Sequence, residues 1–237
     1  MIQQTYLFNP ADQRQKRDLI KIATHVVCLL PLSMFIGREL ARLHIQNELM
    51  RTALIFSGRV SVALLLLSLV MTPLKIVFGW KALLPLRKSV GLYSFAYATA
   101  HLFIHVGFGL GFEISLIWED FLTRPAAQIG YAAFLILFLL TLTSVPVTMR
   151  MVGRWWKNLH RTVYIGALLV IWHWLFVANL KAPWPLAGLV GLSLLLYVRT
   201  QRVQKAIAQL RKNSKQRSQP TIYIPADEAE GTQLPTF

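Results

Sequence analysis

Residues 89–110 read SVGLYSFAYATAHLFIHVGFGL, a stretch of 22 residues without Asp, Glu, Lys or Arg. A helix needs about 20 mostly apolar residues to cross the hydrocarbon core of a bilayer. The stretch therefore predicts a transmembrane helix. It also contains two histidines, His101 and His105. Ionisable side chains at membrane depth are costly, and by default they indicate function and face the interior of a helix bundle.

Five further apolar stretches have the same character and bring the predicted number of spans to six. In chain order the spans are 19–36, 53–73, 89–110, 127–147, 159–180 and 184–198. The first and the last are short. The sequence thus predicts an all-α integral membrane protein built as a six-helix transmembrane bundle.

The composition of the whole chain excludes an ordinary soluble enzyme. Of its 237 residues, 55% are hydrophobic and 15% are charged, whereas soluble domains carry about a quarter charged residues. Seven Trp and thirteen Phe bury too much apolar surface for a disordered chain. The single cysteine, Cys28, excludes an intrachain disulfide, a Cys-based zinc site and covalent heme attachment through a C-x-x-C-H motif.

The positions of the basic residues predict the orientation in the membrane. The formal charge is +15, and most Lys and Arg lie between the apolar stretches, which favours membrane topology over nucleic-acid binding. With the N-terminus in the cytoplasm, the inner segments carry 19 basic residues and the outer segments 6. We therefore expect a cytoplasmic N-terminal segment (1–18), a membrane domain (19–200), and a basic helix with a disordered cytoplasmic tail (201–237).

The depth of two histidines predicts a cofactor site. In this orientation the third and fifth spans both run outward, and a rise of 1.5 Å per residue places His101 at roughly 18 Å and His173 at roughly 21 Å from the inner ends. Two neutral imidazoles at one depth can supply both axial ligands of a heme iron, in an arrangement suited to electron transfer. The alternative is that each histidine within a span only hydrogen-bonds a neighbouring helix.

Three further residues allow two interpretations each. His105, one helical turn outward of His101, is either an alternative iron ligand or a hydrogen-bonding partner near the site. His160 lies about 20 Å inward of His173. It is either a ligand of an inner heme, with a non-histidine side chain, a water or His25 of the first span as the second ligand, or an ordinary histidine at the membrane surface. Arg59 either binds a heme propionate or extends to the outer interface.

Several short motifs follow one another between residues 51 and 180. They are SGR at 57–59, MTPL at 71–74, RK at 87–88 with GL at 91–92, FAYATAHL at 95–102, TRP at 123–125, LTS at 142–144, GRWWKNLH at 153–160, and His173. In this order and spacing they resemble the MsrQ (YedZ) family, the heme-binding membrane subunits of bacterial protein-methionine-sulfoxide reductase systems. That family belongs to the ferric-reductase-like transmembrane superfamily.

The resemblance implies a multi-pass protein of the bacterial inner membrane that holds heme b between its middle helices. It implies electron transfer from the quinone pool or a cytoplasmic flavin reductase to a periplasmic molybdopterin-dependent methionine sulfoxide reductase, which repairs oxidised periplasmic proteins. The subunit itself would have no substrate-reduction site. The family's iron ligands correspond to His101, His160 and His173, and FMN is a further possible cofactor to which no residue is assigned.

Two other functions remain open at the level of sequence. One is a ferric-reductase-like oxidoreductase with another client, a metal or a quinone. The other is a small transporter in which the histidines form a proton relay.

Overall fold

The computed structural model describes residues 10–42, 46–178 and 183–217, and within these ranges all regular structure is helical. The ten α-helices are α1 (Pro10–Arg42), α2 (Gln46–Phe78), α3 (Leu86–Ile104), α4 (Ile114–Thr123), α5 (Pro125–Leu142), α6 (Pro146–Val152), α7 (Trp156–Arg161), α8 (Val163–Val177), α9 (Pro183–Val198) and α10 (Gln201–Arg217). The predicted basic helix coincides with α10. The tail from residue 218 and the first nine residues lie outside the described ranges.

Each predicted span falls largely on helix, but the helices differ in length. Three stretches are long and apolar enough to cross a membrane, and two bent helix pairs raise the number to five. The sixth predicted span corresponds to α9, a shorter apolar helix of 16 residues. The all-helical membrane class is therefore confirmed, whereas the number of six spans stays a prediction.

The outside of the bundle carries many large apolar side chains. Leu19, Val26, Leu135 and Leu194 are each more than half exposed, and α1, α2, α5, α8 and α9 all present residues of this kind. Apolar surface of this extent is costly in water, whereas the lipid chains of a bilayer solvate it. The protein is an integral membrane protein.

Small polar residues hold α2 and α3 together. The Ser61 hydroxyl donates to the carbonyl of Ser94 at 2.9 Å, and the Ser94 hydroxyl donates to the carbonyl of Ser61 at 2.8 Å. Both side chains are buried. Small residues at a membrane helix contact let the two backbones approach closely, and their hydroxyls then bond across the interface.

Apolar packing joins this helix pair to α5, α8 and α9. At Gly166 of α8 an added Cβ would lie 3.1 Å from Ile136 of α5, so this contact also depends on a missing side chain. The central cluster of buried residues consists of Leu65, Leu69, Leu137, Ala167, Ile171, Leu175 and Leu192. The core thus lies between α2, α5, α8 and α9, with Phe95 and Ala98 of α3 packed against it.

The chain changes direction sharply after α3. Residues His105–Gly109 form a single π-helical turn, and Gly111 and Phe112 then adopt positive φ angles of 61° and 56°. The Phe112 ring lies over Gly107, where an added Cβ would approach it to 2.7 Å. The resulting bend of 113° turns α4 across the end of the bundle.

Candidate functional site

The structure brings the two histidines of the predicted site together. His101 lies on α3 and His173 on α8, and their ring centres are 6.1 Å apart with the ring planes at 84°. Two bonds of about 2 Å from a metal to imidazole nitrogens account for about two thirds of that separation. The distance from each coordinating nitrogen to the centre of its own ring accounts for the rest. The spacing therefore fits one metal ion held between the two rings.

Hydrogen bonds determine which nitrogen of each ring carries the hydrogen. Nδ1 of His101 lies 2.9 Å from the carbonyl oxygen of Leu54 on α2, and Nδ1 of His173 lies 2.7 Å from the carbonyl oxygen of Ala126 on α5. A carbonyl oxygen only accepts, so Nδ1 donates in each case. The lone pair of each neutral imidazole is then on Nε2, the nitrogen available to a metal, in the usual arrangement for a ligand histidine.

The donor set fits a heme better than a bare metal ion. Among the described residues no group of three or more His, Cys, Asp or Glu side chains is placed to hold a metal. A porphyrin brings its own nitrogens and needs only axial ligands from the protein. Two imidazoles in the interior of a helix bundle can supply these two ligands.

His105 is bound by a different group. Its Nε2 donates to Asp120 Oδ2 of α4 at 3.0 Å. The same oxygen accepts a hydrogen bond from the Tyr131 hydroxyl of α5 at 3.5 Å. Arg124 reaches the other carboxylate oxygen at 3.1 Å. With Nε2 occupied in this way, the structure favours the interpretation of His105 as a hydrogen-bonding partner near the site.

His160 lies apart from the His101–His173 pair. Its ring stacks on Trp156 with 4.1 Å between ring centres, and its Nε2 lies 3.2 Å from the Thr143 hydroxyl. The Trp156 indole donates to the Thr143 carbonyl at 2.9 Å.

Arg59 and His25 have surroundings of their own. Arg59 lines a groove between α1 and α2 beside Phe35 and Arg38, one residue after the glycine that faces His101. His25 forms a 2.9 Å hydrogen bond through Nδ1 with the Tyr93 hydroxyl, which ties α1 to α3. This contact is the interhelical bond that the second interpretation of the membrane histidines expects.

Sequence reasoning missed the backbone groups that hold the two rings. His101 and Leu54 are 47 residues apart, and so are His173 and Ala126. Each carbonyl is followed four residues later by a glycine, Gly58 or Gly130. The second set repeats the first at a distance of 72 residues, and this spacing was the signal available in the sequence.

Comparison with known proteins places these features in a family. Residues 57–171 match the model of the ferric reductase like transmembrane component. A protein of Rhodospirillum rubrum is 36% identical over 76% of this chain and 88% of its own length. A protein of Cronobacter sakazakii is 31% identical over 78% of this chain and 93% of its own length.

A third relative, from Yersinia pseudotuberculosis, is 35% identical over 61% of this chain and 71% of its own length. All three are named protein-methionine-sulfoxide reductase heme-binding subunit MsrQ. The region that matches the family model, residues 57–171, contains Leu64, Leu137 and other core residues. It also contains His101, His160 and the helices that carry them. The chain therefore belongs to the MsrQ family of ferric-reductase-like membrane proteins.

Proposed function

We propose that this protein is a heme b electron-transfer subunit in which His101 and His173 are the axial ligands of one iron. The observation that carries the proposal is the pair itself: two imidazoles 6.1 Å apart, each with Nδ1 turned to a backbone carbonyl. The curated relatives are named heme-binding subunits, which supports the same cofactor.

The chemistry required of the protein is limited. Heme supplies one-electron oxidation and reduction when bound. The imidazoles would hold the iron through Nε2, while the Leu54 and Ala126 carbonyls orient the rings and the apolar helices keep water away. No nucleophile or general base is needed from this chain, and substrate reduction belongs to a partner.

The proposed partner is a periplasmic molybdopterin-dependent methionine sulfoxide reductase similar to MsrP. The relatives' names place them in a protein-methionine-sulfoxide reductase system, and methionine sulfoxide is a lesion that reduction reverses. The electron donor is the quinone pool or a cytoplasmic flavin reductase. The excess of basic residues in the inner segments supports an inner-membrane protein with both termini in the cytoplasm.

Three further assignments concern His160, Arg59 and FMN. His160 is proposed as ligand of a second, inner heme on the strength of its place in the family motif, and iron binding there would replace the hydrogen bond between its Nε2 and the Thr143 hydroxyl. Arg59 lines the groove between α1 and α2, one residue after the glycine that faces His101, and both expected roles, contact with a heme propionate and extension to the outer interface, stay predictions. FMN remains an expectation from the resemblance.

The central experiment is a spectrum. Purified in mild detergent from heme-replete cells, the protein should be red and show the sharp bands of low-spin heme after reduction with dithionite. His101→Ala and His173→Ala should each abolish the bands of the outer heme. His25→Ala is the matched control, because this histidine also lies in a span but bonds Tyr93.

Two outcomes would contradict the proposal. A colourless wild-type protein would favour the transporter with a histidine proton relay. Loss of heme in His25→Ala with retention of heme in His101→Ala would show that His101 is not an iron ligand. The client is tested separately: deletion of the gene should leave periplasmic methionine sulfoxide unrepaired, and normal repair would favour a metal or quinone reductase.

A further inference from the structure

Gly58 is the part of α2 on which the His101 ring lies. A Cβ added at Gly58 would be 3.0 Å from Nδ1 and 3.1 Å from Cε1 of His101. The Leu54 carbonyl that accepts the Nδ1 hydrogen is one helical turn earlier on the same face of α2. The ring therefore occupies the space that a side chain at position 58 would fill, because only glycine permits so close an approach.

The same arrangement recurs between α5 and α8. A Cβ added at Gly130 would be 2.9 Å from Nδ1 and 3.0 Å from Cε1 of His173. The Ala126 carbonyl, again one turn earlier, accepts the Nδ1 hydrogen. Two helix pairs with different packing residues thus present the same combination of carbonyl and glycine to an imidazole.

The two arrangements are in the same register. Leu54 and Ala126, Gly58 and Gly130, and His101 and His173 are each separated by 72 residues. Gly58 and Gly130 also differ from the other described glycines, since an added Cβ there meets an imidazole ring at about 3 Å, whereas at Gly188 or Gly91 the nearest atoms are 3.9 and 3.6 Å away. Helix packing alone does not require the ring contact at both positions.

We propose that Gly58 and Gly130 are positioning residues of the heme site, which hold the two imidazole planes perpendicular and their Nε2 atoms at the separation that one iron needs. The inference rests on the proposed function. A methyl group at either position forces the ring to tilt or withdraw by a few tenths of an ångström, because the contacting atoms belong to a rigid ring that is also hydrogen-bonded. Ligation then weakens, or the angle of 84° between the planes changes.

The first test compares Gly58→Ala and Gly130→Ala with wild type and with Gly91→Ala as the control in the same helix pair. Heme per chain, a redox titration and the low-temperature EPR spectrum of the oxidised protein are measured in detergent. Wild type and Gly91→Ala should show the strongly anisotropic low-spin signal of perpendicular imidazoles. Each of the other two variants should lose heme or shift to a different low-spin or high-spin signal, with a changed midpoint potential.

A second test needs no heme and covers the case in which a variant folds poorly. Gly58→Ala should lower the thermal unfolding midpoint of the wild-type apoprotein. In a His101→Ala background it should leave the midpoint unchanged or raise it, because the ring is gone and Ala favours helix over Gly. Gly130→Ala with His173→Ala forms the matching cycle.

The outcomes separate the two claims. A wild-type protein without heme overturns the proposed function and this inference with it. A heme-loaded wild type whose Gly58→Ala and Gly130→Ala variants keep its EPR spectrum, heme content and potential overturns this inference alone. Equal loss of stability from Gly58→Ala with and without His101 also overturns it, since the methyl group would then collide with something other than the ring.

Discussion

Two serine hydroxyl groups join α2 and α3 at a buried contact between these helices. Ser61 and Ser94 exchange hydrogen bonds between side chain and backbone in both directions, and both are shielded from lipid. In a membrane, apolar side chains gain little by moving from lipid to a helix interface, so hydrogen bonds and close packing supply the stability of the contact. The pair therefore contributes more to the α2–α3 association than its small size suggests.

Ser94→Ala should lower the free energy of unfolding by about 0.6 kcal/mol, and at most by about 1.7 kcal/mol, the range measured for bonds between membrane helices. Ser94→Val should cost more, because it adds volume at a position of zero exposure. Unfolding in detergent is the measurement. Ser33→Ala is the control: its hydroxyl bonds only its own helix, at Leu30, and a loss of stability equal to that of Ser94→Ala would contradict the interpretation.

At the scale of the element, one buried carboxylate anchors α4 across the end of the bundle. The Asp120 side chain is 3% exposed and joins His105 of the π-helical turn, Tyr131 of α5 and Arg124. The outward face of the same helix is apolar, with Trp118 62% and Ile114 82% exposed. A helix with one anchored face and one apolar face is suited to the membrane interface, and the bond to His105 holds it one helical turn from His101.

Asp120→Asn should release α4 from the bundle. The amide retains one accepting oxygen but loses the charge that Arg124 and His105 face, and an unsatisfied buried partner costs about 1–3 kcal/mol. Hydrogen exchange of 114–123 should increase, while heme binding through His101 and His173 should persist. Glu119→Gln, an exposed neighbour, should change neither; equal exchange in both variants would show that Asp120 does not hold the helix.

At the scale of the whole molecule, the number of spans decides which side of the membrane each end faces. Six spans return the C-terminus to the side of the N-terminus, and an odd number does not. The excess of Lys and Arg in alternate loops favours six, although α9 has only 16 residues. Because a helix rises 1.5 Å per residue, α9 is about 24 Å long, and crossing the membrane as the sixth span would require local thinning of the bilayer.

Single cysteines test this topology directly. The native Cys28 is buried and can be replaced by Ala in the background. Ser115→Cys on α4 should react with a membrane-impermeant maleimide from the periplasmic side of intact cells. Asn213→Cys on α10 should react only after the inner membrane is opened, and labelling of both cysteines in intact cells would mean an even number of spans after α4, which contradicts the six-span topology.

The amino-acid sequence by itself determined the class of this protein. Long apolar stretches, scarce charges and basic residues on alternate loops follow from the energetics of a bilayer, which act on composition and order along the chain. The depth of His101 and His173 also follows from counting residues, because the rise of a helix is constant.

Only the tertiary structure decided how those histidines are held. Contacts between residues far apart in the chain decide which neighbour a side chain on a helix faces. They also decide how sharply the chain bends after α3 and how closely two backbones approach. Thus only the structure shows that Gly58 lies against the His101 ring and that the Asp120 carboxylate is a buried hydrogen-bond partner of His105. The physical reason is that the composition of a segment reflects whether lipid or water surrounds it, whereas the orientation of a ligating histidine is set by the few atoms that contact its ring.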